Sequence, residues 1–335
     1  MTMRVGINGL GRIGRLCLAT LIDDPGFQVV AVSDLSKSEA IAHLLKYDSI
    51  HGRLFQSVEL VQKGLVLNGQ HVQGLYERDP AKLGWGELGV DLVIEASGKF
   101  VDADQARAHI TAGAKKVIIT APAKNEDATF VIGVNESTYD PQKHHVVSNA
   151  SCTTNCLAPV AKVLLDNFGI ERGYMNTIHS YTNDQKILDG THKDLRRARA
   201  AALSMIPTTT GAARAVALVL PELKGRLDGF SVRVPTPDAS MVDLTVELGR
   251  TVSVAEVNAA MAAAAAGPMQ GIIEYCTDPI VSVDVIGNRH SAVFDAGLTM
   301  VLGDQNALVK CVAWYDNELG YATRVVDLAR IMLGR

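Results

Sequence analysis

Short apolar segments rich in β-branched residues alternate with amphipathic segments in the first half of the chain. The apolar segments predict buried strands over Arg4 to Asn8, Gln28 to Ser33, Asp91 to Ala96 and Lys116 to Thr120. Apolar residues at helical spacing predict helices over Arg12 to Ile22 and Glu39 to Leu45. Strands that alternate with helices are typical of βαβ units, so the first half is predicted to form an α/β domain with a parallel sheet.

The pattern changes near Asn149. Helices are predicted over Cys152 to Phe168, Gly211 to Leu220 and Val254 to Ala266. Longer alternating runs occupy Met175 to Tyr181, Gly229 to Val234, Val242 to Leu248, Val293 to Leu302 and Val309 to Trp314. Such runs are typical of a mostly antiparallel sheet covered by helices on one face. We therefore predict an α+β domain over residues 151–317 after a first domain over residues 1–150. A last helix, Leu319 to Leu333 within residues 318–335, is expected to pack back onto the first domain.

Composition agrees with a two-domain globular protein and excludes several functions. The chain has 335 residues, 47% of them hydrophobic and 20% charged, with a formal net charge of -4, so it has no basic footprint for nucleic acid. No apolar run approaches the roughly 18 residues of a membrane span, and the chain enters a strand at once, which leaves no room for a signal peptide. Five scattered cysteines do not suggest a disulfide framework. We expect a cytoplasmic protein without membrane or nucleic-acid partners.

A glycine motif follows the first predicted strand and opens the first predicted helix. Gly9, Gly11 and Gly14 form the pattern GxGxxG. The first glycine permits a tight turn, the second lets the backbone approach a pyrophosphate, and the third allows close packing of helix and sheet. The pyrophosphate would bind the backbone N–H groups that begin at Arg12 and Ile13. In this context the motif predicts a Rossmann-type dinucleotide site rather than a βαβ turn without a ligand.

Asp34 ends the second predicted strand, 20 residues beyond Gly14. A carboxylate at this place accepts hydrogen bonds from the adenosine ribose hydroxyls and repels a 2′-phosphate. The sequence therefore favours NAD over NADP.

Cys152 is predicted to lie in the first turn of a helix for which Ser151 is a suitable N-cap. There the helix dipole and free N–H groups stabilise a thiolate. A helix to Phe168 rises about 24 Å, and a strand from Arg172 to His179 returns about 26 Å, so His179 should come back level with Cys152. We predict that Cys152 is a nucleophile and His179 its general base. Cys156, one turn deeper, is expected to be a buried apolar residue.

Phosphate-binding groups follow the cysteine and histidine. They are Thr182 and Asp184, the basic stretch with Arg196, Arg197 and Arg199, the helix start Thr208-Thr209-Thr210-Gly211, and Arg233. Arginine combined with threonine and a helix N-terminus is a common way to hold phosphate. A zinc site from Cys152, Cys156 and His179 is a weak alternative, since no fourth ligand has suitable spacing. We expect no metal.

The segment Ser148 to Cys156 (SNASCTTNC) resembles the active-site signature of phosphorylating glyceraldehyde-3-phosphate dehydrogenases. The resemblance extends from Gly6 to Gly9 (GING), through His179 to Gln185 (HSYTNDQ), to Trp314 to Glu318 (WYDNE), and so covers almost the whole chain. It implies oxidation of glyceraldehyde 3-phosphate with NAD and inorganic phosphate, through a thioester on Cys152. It also implies a homotetramer in which the loop from Tyr181 to Ser204 packs between subunits.

The resemblance implies roles for further residues. Thr182 and Arg233 would hold the phosphate of the substrate. The attacking phosphate would be held by Ser151, Thr153, Thr210 and Gly211, with Arg197 in reach. Asn317 would fix the carboxamide of nicotinamide, and Arg78 and Thr120 would contact the cofactor.

Three positions depart from the usual pattern of the family. Ser33 replaces an asparagine before Asp34, Leu319 replaces a tryptophan or threonine, and Thr191 stands where NAD-specific relatives commonly have proline. A hydroxyl at Thr191 suggests secondary use of NADP, although the charge of Asp34 should outweigh one neutral hydrogen bond.

Three other functions remain as alternatives. The first is a sister dehydrogenase acting on erythrose 4-phosphate, against which Thr182 speaks. The second is a cysteine hydrolase, which would not need the dinucleotide motif. The third is a non-catalytic NAD-binding protein, which would not need Cys152, His179 and Arg233 together.

Overall fold

The computed structural model describes residues 2–332 and 334, which divide into two compact units. The first unit runs to Phe130, adds Asn135–Ser151 and ends with the segment from Ala322 onward. The second comprises Val131–Val134 and Cys152–Tyr321. Met1, Leu333 and Arg335, which the predicted domains and the last predicted helix include, lie outside the described residues.

The first unit is a mostly parallel sheet with helices. Its strands are β1 (Met3–Asn8), β2 (Phe27–Ser33), β3 (Val58–Val61), β4 (Gly64–Leu67), β5 (Gln70–Leu75), β6 (Leu92–Glu95), β7 (Lys116–Ile119), β8 (Ala128–Thr129) and β9 (Val146–Ser148). Its helices include α1 (Arg12–Ile22), α2 (Ser38–Lys46), α3 (Ala103–Ala106) and α4 (Ala108–Thr111), with 3₁₀ turns at Pro80–Lys82 and Glu136–Thr138. The strand order is β3-β4-β5-β2-β1-β6-β7-β9-β8, and pairing is parallel from β5 to β8. The parallel α/β prediction is confirmed, whereas the antiparallel β3-β4-β5 segment was not predicted.

The second unit is built on a mostly antiparallel sheet. Its elements are α5 (Cys152–Phe168), β10 (Ile170–Ser180), β11 (Ile206–Thr209), α6 (Ala212–Val219), β12 (Leu227–Val234), β13 (Ser240–Val252), α7 (Val254–Ala266), β14 (Ile273–Cys276), α8 (Ser282–Val285), β15 (Ala292–Asp295), β16 (Met300–Val301) and β17 (Asn306–Tyr315). There are also 3₁₀ turns at Pro221–Leu223 and Ala296–Leu298. The strand order is β11-β12-β10-β13-β17-β15-β14, with β16 paired to β17. The prediction of a mostly antiparallel sheet is confirmed.

The prediction of one continuous strand over Val293 to Leu302 was wrong. The structure has β15, a 3₁₀ turn and the short β16 in that interval. The Asp295 carboxylate accepts a hydrogen bond from the backbone N–H of Gly297 at 3.2 Å. This local bond offers the backbone an alternative to the sheet, and apolar alternation does not reveal it.

Helix α9 (Leu319–Met332) starts at the end of the second unit and continues into the first. Within the first unit, Arg330 forms an ion pair with Asp24 at 2.6 Å. The Sγ of Cys17 lies 4.0 Å from the carbonyl oxygen of Ala322. Several apolar side chains of α9 that follow are fully buried, among them Val325, Val326 and Leu328. This helix therefore completes the core of the first unit. None of the helices within residues 2–332 combines the length and hydropathy that a membrane crossing requires.

Candidate active site

A cysteine and a histidine meet in the second unit. Cys152 is the first residue of α5, and the chain reverses at Gly169, whose φ of +73° lies in the left-handed region that favours glycine. Strand β10 then returns beside the helix, with His179 one residue before its end. The Sγ of Cys152 lies 3.5 Å from Nε2 of His179. The imidazole is therefore within reach of the thiol proton.

The second ring nitrogen of His179 is held by the backbone. Nδ1 lies 2.8 Å from the carbonyl oxygen of Ser180 and 3.1 Å from Nη1 of Arg233. We assign the proton to Nδ1, because this tautomer donates to the carbonyl at the shorter distance. Nε2 is then unprotonated and directs its lone pair to Cys152. Burial, followed by the charge of Arg233, lowers the pKa of His179 to about 3. The imidazole is therefore neutral in the resting protein, and in this tautomer Nε2 is the atom that can accept a proton from Cys152.

The environment of Cys152 contains opposing effects on its charge. Burial raises the pKa of the thiol, whereas the Arg233 guanidinium and hydrogen bonds from Thr153 lower it. The net direction is upward from the ordinary thiol value. The resting pair is therefore a thiol beside a neutral imidazole, and thiolate formation requires transfer of the proton to His179.

Arg233 joins this pair to a polar network. It lies on β12, directly opposite His179 of the parallel neighbour β10. Its Nη1 donates to the Ser180 carbonyl and to Oγ1 of Thr182, both at 3.0 Å. Thr182 in turn donates to the Asp184 carboxylate, which also pairs with Arg197. The network thus brings Thr182, Arg197 and Arg233 together near the thiol.

Asp184 is charged in this network. Burial raises its pKa, but the hydrogen bond from Thr182 and the charges of Arg197 and Arg233 outweigh burial and hold the pKa below its ordinary value. Arg197 also donates from Nε to Oγ1 of Thr208 at 2.9 Å. The two guanidinium groups are therefore held in place by one carboxylate and two threonines.

The other predicted phosphate ligands have different partners. The Thr153 hydroxyl is buried and lies 2.8 Å from the hydroxyl of Tyr315. The Thr210 hydroxyl accepts from the backbone N–H of Ala212 at 3.2 Å, and Gly211 is the N-cap of α6. Ser151 directly precedes Cys152 and α5. Thr153 thus anchors α5 through its side chain, and its backbone N–H in the first turn is the group suited to an anion.

Asn317 follows β17 and is buried in the second unit. Its Oδ1 accepts hydrogen bonds from the hydroxyls of Ser180 at 2.8 Å and Ser240 at 2.7 Å. The sequence singled out Asn317 but did not single out the two serines. The only sequence signal for Ser180 and Ser240 was their position at strand ends, and that position is too common to identify a contact.

A groove in the first unit lies at the carboxyl ends of β1, β2 and β6. It has a volume of about 410 Å³. It is lined by the predicted residues Gly9, Gly11, Asp34 and Arg78, and by residues that were not predicted, including Ser97, Lys99 and Phe100. This edge of a parallel sheet is where dinucleotides bind. The unpredicted residues follow β6, and nothing in their spacing distinguishes them from an ordinary loop.

The three glycines of the motif differ in their surroundings. Gly9 has a φ of +95°, and a Cβ there would lie 2.5 Å from the Ser97 backbone. A Cβ on Gly14 would lie 1.9 Å from the carbonyl oxygen of Gly9. Gly11, the N-cap of α1, has nothing within 4 Å of its Cβ position. Gly9 and Gly14 are thus required by the fold, whereas the open space at Gly11 fits the approach of a pyrophosphate.

Asp34 is held by the backbone at the edge of the groove. One carboxylate oxygen accepts from the N–H of Leu10 at 2.7 Å and the other from that of Ser36 at 2.8 Å. Burial raises the pKa of Asp34, but these hydrogen bonds outweigh burial and lower the pKa overall. The carbonyl oxygen of Ser33 accepts from the N–H of Gly9 at 2.7 Å, so the backbone of Ser33 supports the glycine turn. The charged, fixed carboxylate fits a ribose and disfavours a 2′-phosphate.

The remaining predicted cofactor residues do not line this groove. The Arg12 side chain forms an ion pair with the buried carboxylate of Asp48, and the Thr120 hydroxyl donates to the carbonyl oxygen of Glu95 at 3.1 Å. Ile13 lies in the first turn of α1. The Thr120 side chain therefore supports the backbone next to the lining residue Ala96. For Arg12 and Ile13 the backbone N–H groups are the candidate ligands.

Cys156 is fully buried, and its Sγ lies 3.8 Å from the carbonyl oxygen of Ala313. Within residues 2–332, Cys152, Cys156 and His179 do not form a cluster of possible metal-binding atoms. The zinc alternative has no support in this arrangement.

Comparisons with known proteins agree with these observations. Residues 3–103 match the family model described as glyceraldehyde 3-phosphate dehydrogenase, NAD binding domain, and residues 151–317 match the one described as glyceraldehyde 3-phosphate dehydrogenase, C-terminal domain. The chain is 60% identical to glyceraldehyde-3-phosphate dehydrogenase of Geobacillus stearothermophilus over 329 residues, 98% of each chain. It is 56% identical to glyceraldehyde-3-phosphate dehydrogenase 1 of Bacillus subtilis (strain 168), again over 98% of each. It is 54% identical to the Priestia megaterium enzyme, over 100% of this chain and 99% of the relative.

Proposed function

Because the chain belongs to the glyceraldehyde-3-phosphate dehydrogenase family, we propose that Cys152 and His179 are the catalytic residues of an NAD-dependent oxidation of D-glyceraldehyde 3-phosphate to 1,3-bisphosphoglycerate. The protein is an oxidoreductase, and NAD is its cofactor. The observation that carries the assignment of the catalytic pair is the distance of 3.5 Å between Sγ of Cys152 and Nε2 of His179. The erythrose 4-phosphate alternative is not favoured by the relatives that the chain matches.

The chemistry on Cys152 proceeds in two halves. Its sulfur attacks the aldehyde carbon while His179 accepts the thiol proton at Nε2 and returns it to the former carbonyl oxygen, which gives a hemithioacetal and a neutral imidazole. NAD, when bound, supplies the acceptor for the hydride from this carbon. His179 takes up the hydroxyl proton as the carbon becomes a thioester on Cys152. An oxygen of inorganic phosphate then attacks the thioester carbon and the C–S bond breaks, so the acyl phosphate leaves and the released sulfur takes the proton back from Nε2 of His179, which restores the thiol and the neutral imidazole.

Two anionic groups have to be held in this reaction. We assign the phosphate of the substrate to Thr182 and Arg233 and the attacking phosphate to Ser151, Thr153, Thr210 and Gly211, with Arg197 beside them. In support, Arg233 directs Nη1 at Thr182. Its Nε is buried without a hydrogen-bond partner among the described residues, which leaves donor capacity for an anion.

We propose that the groove of the first unit binds NAD. We assign the pyrophosphate to the backbone at Gly9, Gly11, Arg12, Ile13 and Gly14, and the adenosine ribose to Asp34. Arg78 lines the same groove, and Thr120 supports its wall. Asn317 would bind the carboxamide of nicotinamide. Residues 1–150 would then form the NAD-binding domain, with residues 318–335 packed onto it, and residues 151–317 the catalytic domain.

We also propose a homotetramer in the cytoplasm. Large apolar side chains between residues 187 and 205 are strongly exposed in the single chain, which suits a loop covered by another subunit. All five cysteines are free thiols, which suits a reducing compartment.

The decisive experiment follows the absorbance of reduced nicotinamide in four mixtures. Purified protein is assayed with glyceraldehyde 3-phosphate or erythrose 4-phosphate, each with NAD and with or without inorganic phosphate. We expect phosphate-dependent turnover with the triose, at least tenfold higher kcat/KM than with the tetrose, and loss of turnover in Cys152→Ala. Faster turnover of the tetrose, or hydrolysis without reduction of NAD, would contradict the proposal.

Cofactor preference is tested with the same assay. We expect NAD to be preferred to NADP because the charged Asp34 repels a 2′-phosphate. Asp34→Ala should reduce the preference, and Thr191→Pro should reduce any residual turnover with NADP. A parent protein that prefers NADP would contradict this assignment.

A further inference from the structure

Three strands of the second unit end beside one another. Ser180 is the last residue of β10, Ser240 is the first residue of β13, and Asn317 lies two residues after β17. These strands are neighbours in the order β10-β13-β17. The three side chains are 0%, 1% and 4% exposed, so water contributes little to their hydrogen bonding.

The direction of each hydrogen bond follows from the donors and acceptors. The Ser240 Oγ accepts from the backbone N–H of Ser180 at 3.1 Å, and its hydroxyl hydrogen is directed to Oδ1 of Asn317 at 2.7 Å. The Ser180 hydroxyl also donates to Oδ1, at 2.8 Å. Neither hydroxyl has another acceptor among the described residues. A rotated amide that presented Nδ2 to the serines would therefore leave two buried hydroxyl hydrogens without a partner.

We propose that Ser240, assisted by Ser180, is a positioning residue that sets the orientation of the Asn317 amide, so that Asn317 offers an N–H donor to the cofactor. The two serines occupy Oδ1, and Nδ2 remains for a ligand. The inference rests on the proposed contact between Asn317 and the nicotinamide carboxamide. With the amide in this orientation, the protein recognises the carbonyl oxygen of the carboxamide rather than its N–H group.

Ser180 links this positioning to the catalytic base. Its carbonyl oxygen binds Nδ1 of His179, and its hydroxyl binds Asn317. The orientation of the base and that of the amide therefore depend on one residue at the end of β10. Substitution of the Ser180 side chain by alanine leaves the carbonyl in place, so the two effects can be separated.

The test compares NAD with 3-acetylpyridine adenine dinucleotide, which has a methyl ketone in place of the carboxamide. The analogue keeps the carbonyl acceptor and lacks the N–H donors.

In Ser240→Ala the remaining Ser180 hydroxyl can donate or accept, so the amide can turn its oxygen toward the ligand. NAD still binds in this orientation, because the N–H groups of its carboxamide can donate to the Asn317 oxygen. The methyl ketone of the analogue has no N–H group to donate. We expect the ratio of the Kd of the analogue to that of NAD, measured by calorimetry, to rise about three- to tenfold in Ser240→Ala and less in Ser180→Ala.

Ser231→Ala is the matched control, because Ser231 is a buried serine of the same sheet whose hydroxyl has no hydrogen-bond partner among the described residues. The ratio of the two Kd values in Ser231→Ala should equal the ratio in the parent protein. Asn317→Asp, which offers only acceptors, should raise the ratio most. An unchanged ratio in Asn317→Asp would contradict the assignment of Asn317 and the inference with it. A raised ratio in Asn317→Asp with parental ratios in both serine variants would contradict the inference alone. Equal losses of affinity for both cofactors in the serine variants would indicate a structural role and would also contradict it.

Discussion

At the scale of single residues, burial and hydrogen bonding decide the protonation of the catalytic pair. His179 is almost fully buried, and its Nδ1 proton is held by the Ser180 carbonyl. Burial and the Arg233 charge keep the imidazole neutral by lowering its pKa to about 3. Its unprotonated Nε2 is therefore available as a base throughout the neutral pH range, and a substitution that keeps the shape of the side chain but removes the base should reduce catalysis.

His179→Gln should lower kcat by a factor of about 10² to 10⁴, the usual contribution of a positioned general base. The Kd for NAD should change less than threefold. Steady-state kinetics and calorimetry measure the two effects. His290→Gln, which changes a partly exposed histidine paired with Glu274, serves as the control and should retain parental kcat. A decrease in kcat of less than tenfold in His179→Gln would contradict the assignment of His179 as the general base.

Asp48 is the buried partner of Arg12, and its contribution to stability should depend on pH. Burial raises its pKa, but hydrogen bonds from His51 and Arg12 outweigh burial and lower the pKa below its ordinary 3.8. A carboxyl with a depressed folded-state pKa stabilises the protein above its unfolded pKa, and this stability is lost as the pH falls through the folded value. Asp48→Asn should therefore lower the free energy of unfolding by about 1–3 kcal/mol at pH 7.

The difference between Asp48→Asn and the parent should shrink as the pH falls below 3.8, as measured by denaturant unfolding where each protein remains folded. Asp166→Asn provides the control, because Asp166 forms an ion pair with Lys162 while its side chain is 53% exposed. Exposed helical pairs contribute only about 0.3–0.5 kcal/mol. A destabilisation of Asp48→Asn that is as small as that of the control would contradict the prediction.

At the scale of elements, the start of α1 separates the needs of the fold from those of the ligand. Gly14 packs against the carbonyl oxygen of Gly9, whereas Gly11 adjoins open space and has a φ of -67° that alanine also adopts. Gly11 and Gly14 therefore serve different purposes, although both are glycines of the same GxGxxG motif.

Gly14→Ala should lower the free energy of unfolding by about 1–3 kcal/mol, because two backbones would have to move apart. Gly11→Ala should leave stability within about 0.5 kcal/mol of the parent, yet weaken NAD binding at least tenfold through contact with the pyrophosphate. Thermal unfolding and calorimetry distinguish the two variants. Parental NAD affinity in Gly11→Ala would place the pyrophosphate elsewhere.

At the scale of the whole molecule, the exposed apolar side chains offer a test of the proposed tetramer. Leu195 and Leu203 are 82% and 81% exposed in a chain of 35.8 kDa. Light scattering should give a mass about four times that of the chain, and the double variant Leu195→Glu/Leu203→Glu should give a smaller one. Leu60→Glu, which changes a half-exposed leucine on β3, should leave the mass unchanged. A parent protein that runs as a monomer would contradict the tetramer.

Much of the fold followed from periodicity in the sequence. Helices α1, α5 and α7 have the predicted bounds, because long amphipathic or apolar stretches are specified locally. The segment β3-β4-β5 was missed, since its strands are short and contain few buried residues. The break between β15 and β16 was missed because a side chain, rather than the apolar pattern, ends the strand.

The sequence by itself determined which residues we propose for the chemistry: a glycine motif after a strand, an acid after the next strand, and a cysteine at a helix start with a histidine one helix and one strand later. These signals are local, because caps, turns and strand lengths depend on neighbours along the chain. Only the tertiary structure decided which hydrogen bonds orient them, since the Ser180 carbonyl behind His179, the Tyr315 hydroxyl beside Thr153 and the serines around Asn317 come from separate strands. Such contacts depend on register between distant segments, and no spacing along the chain records that register.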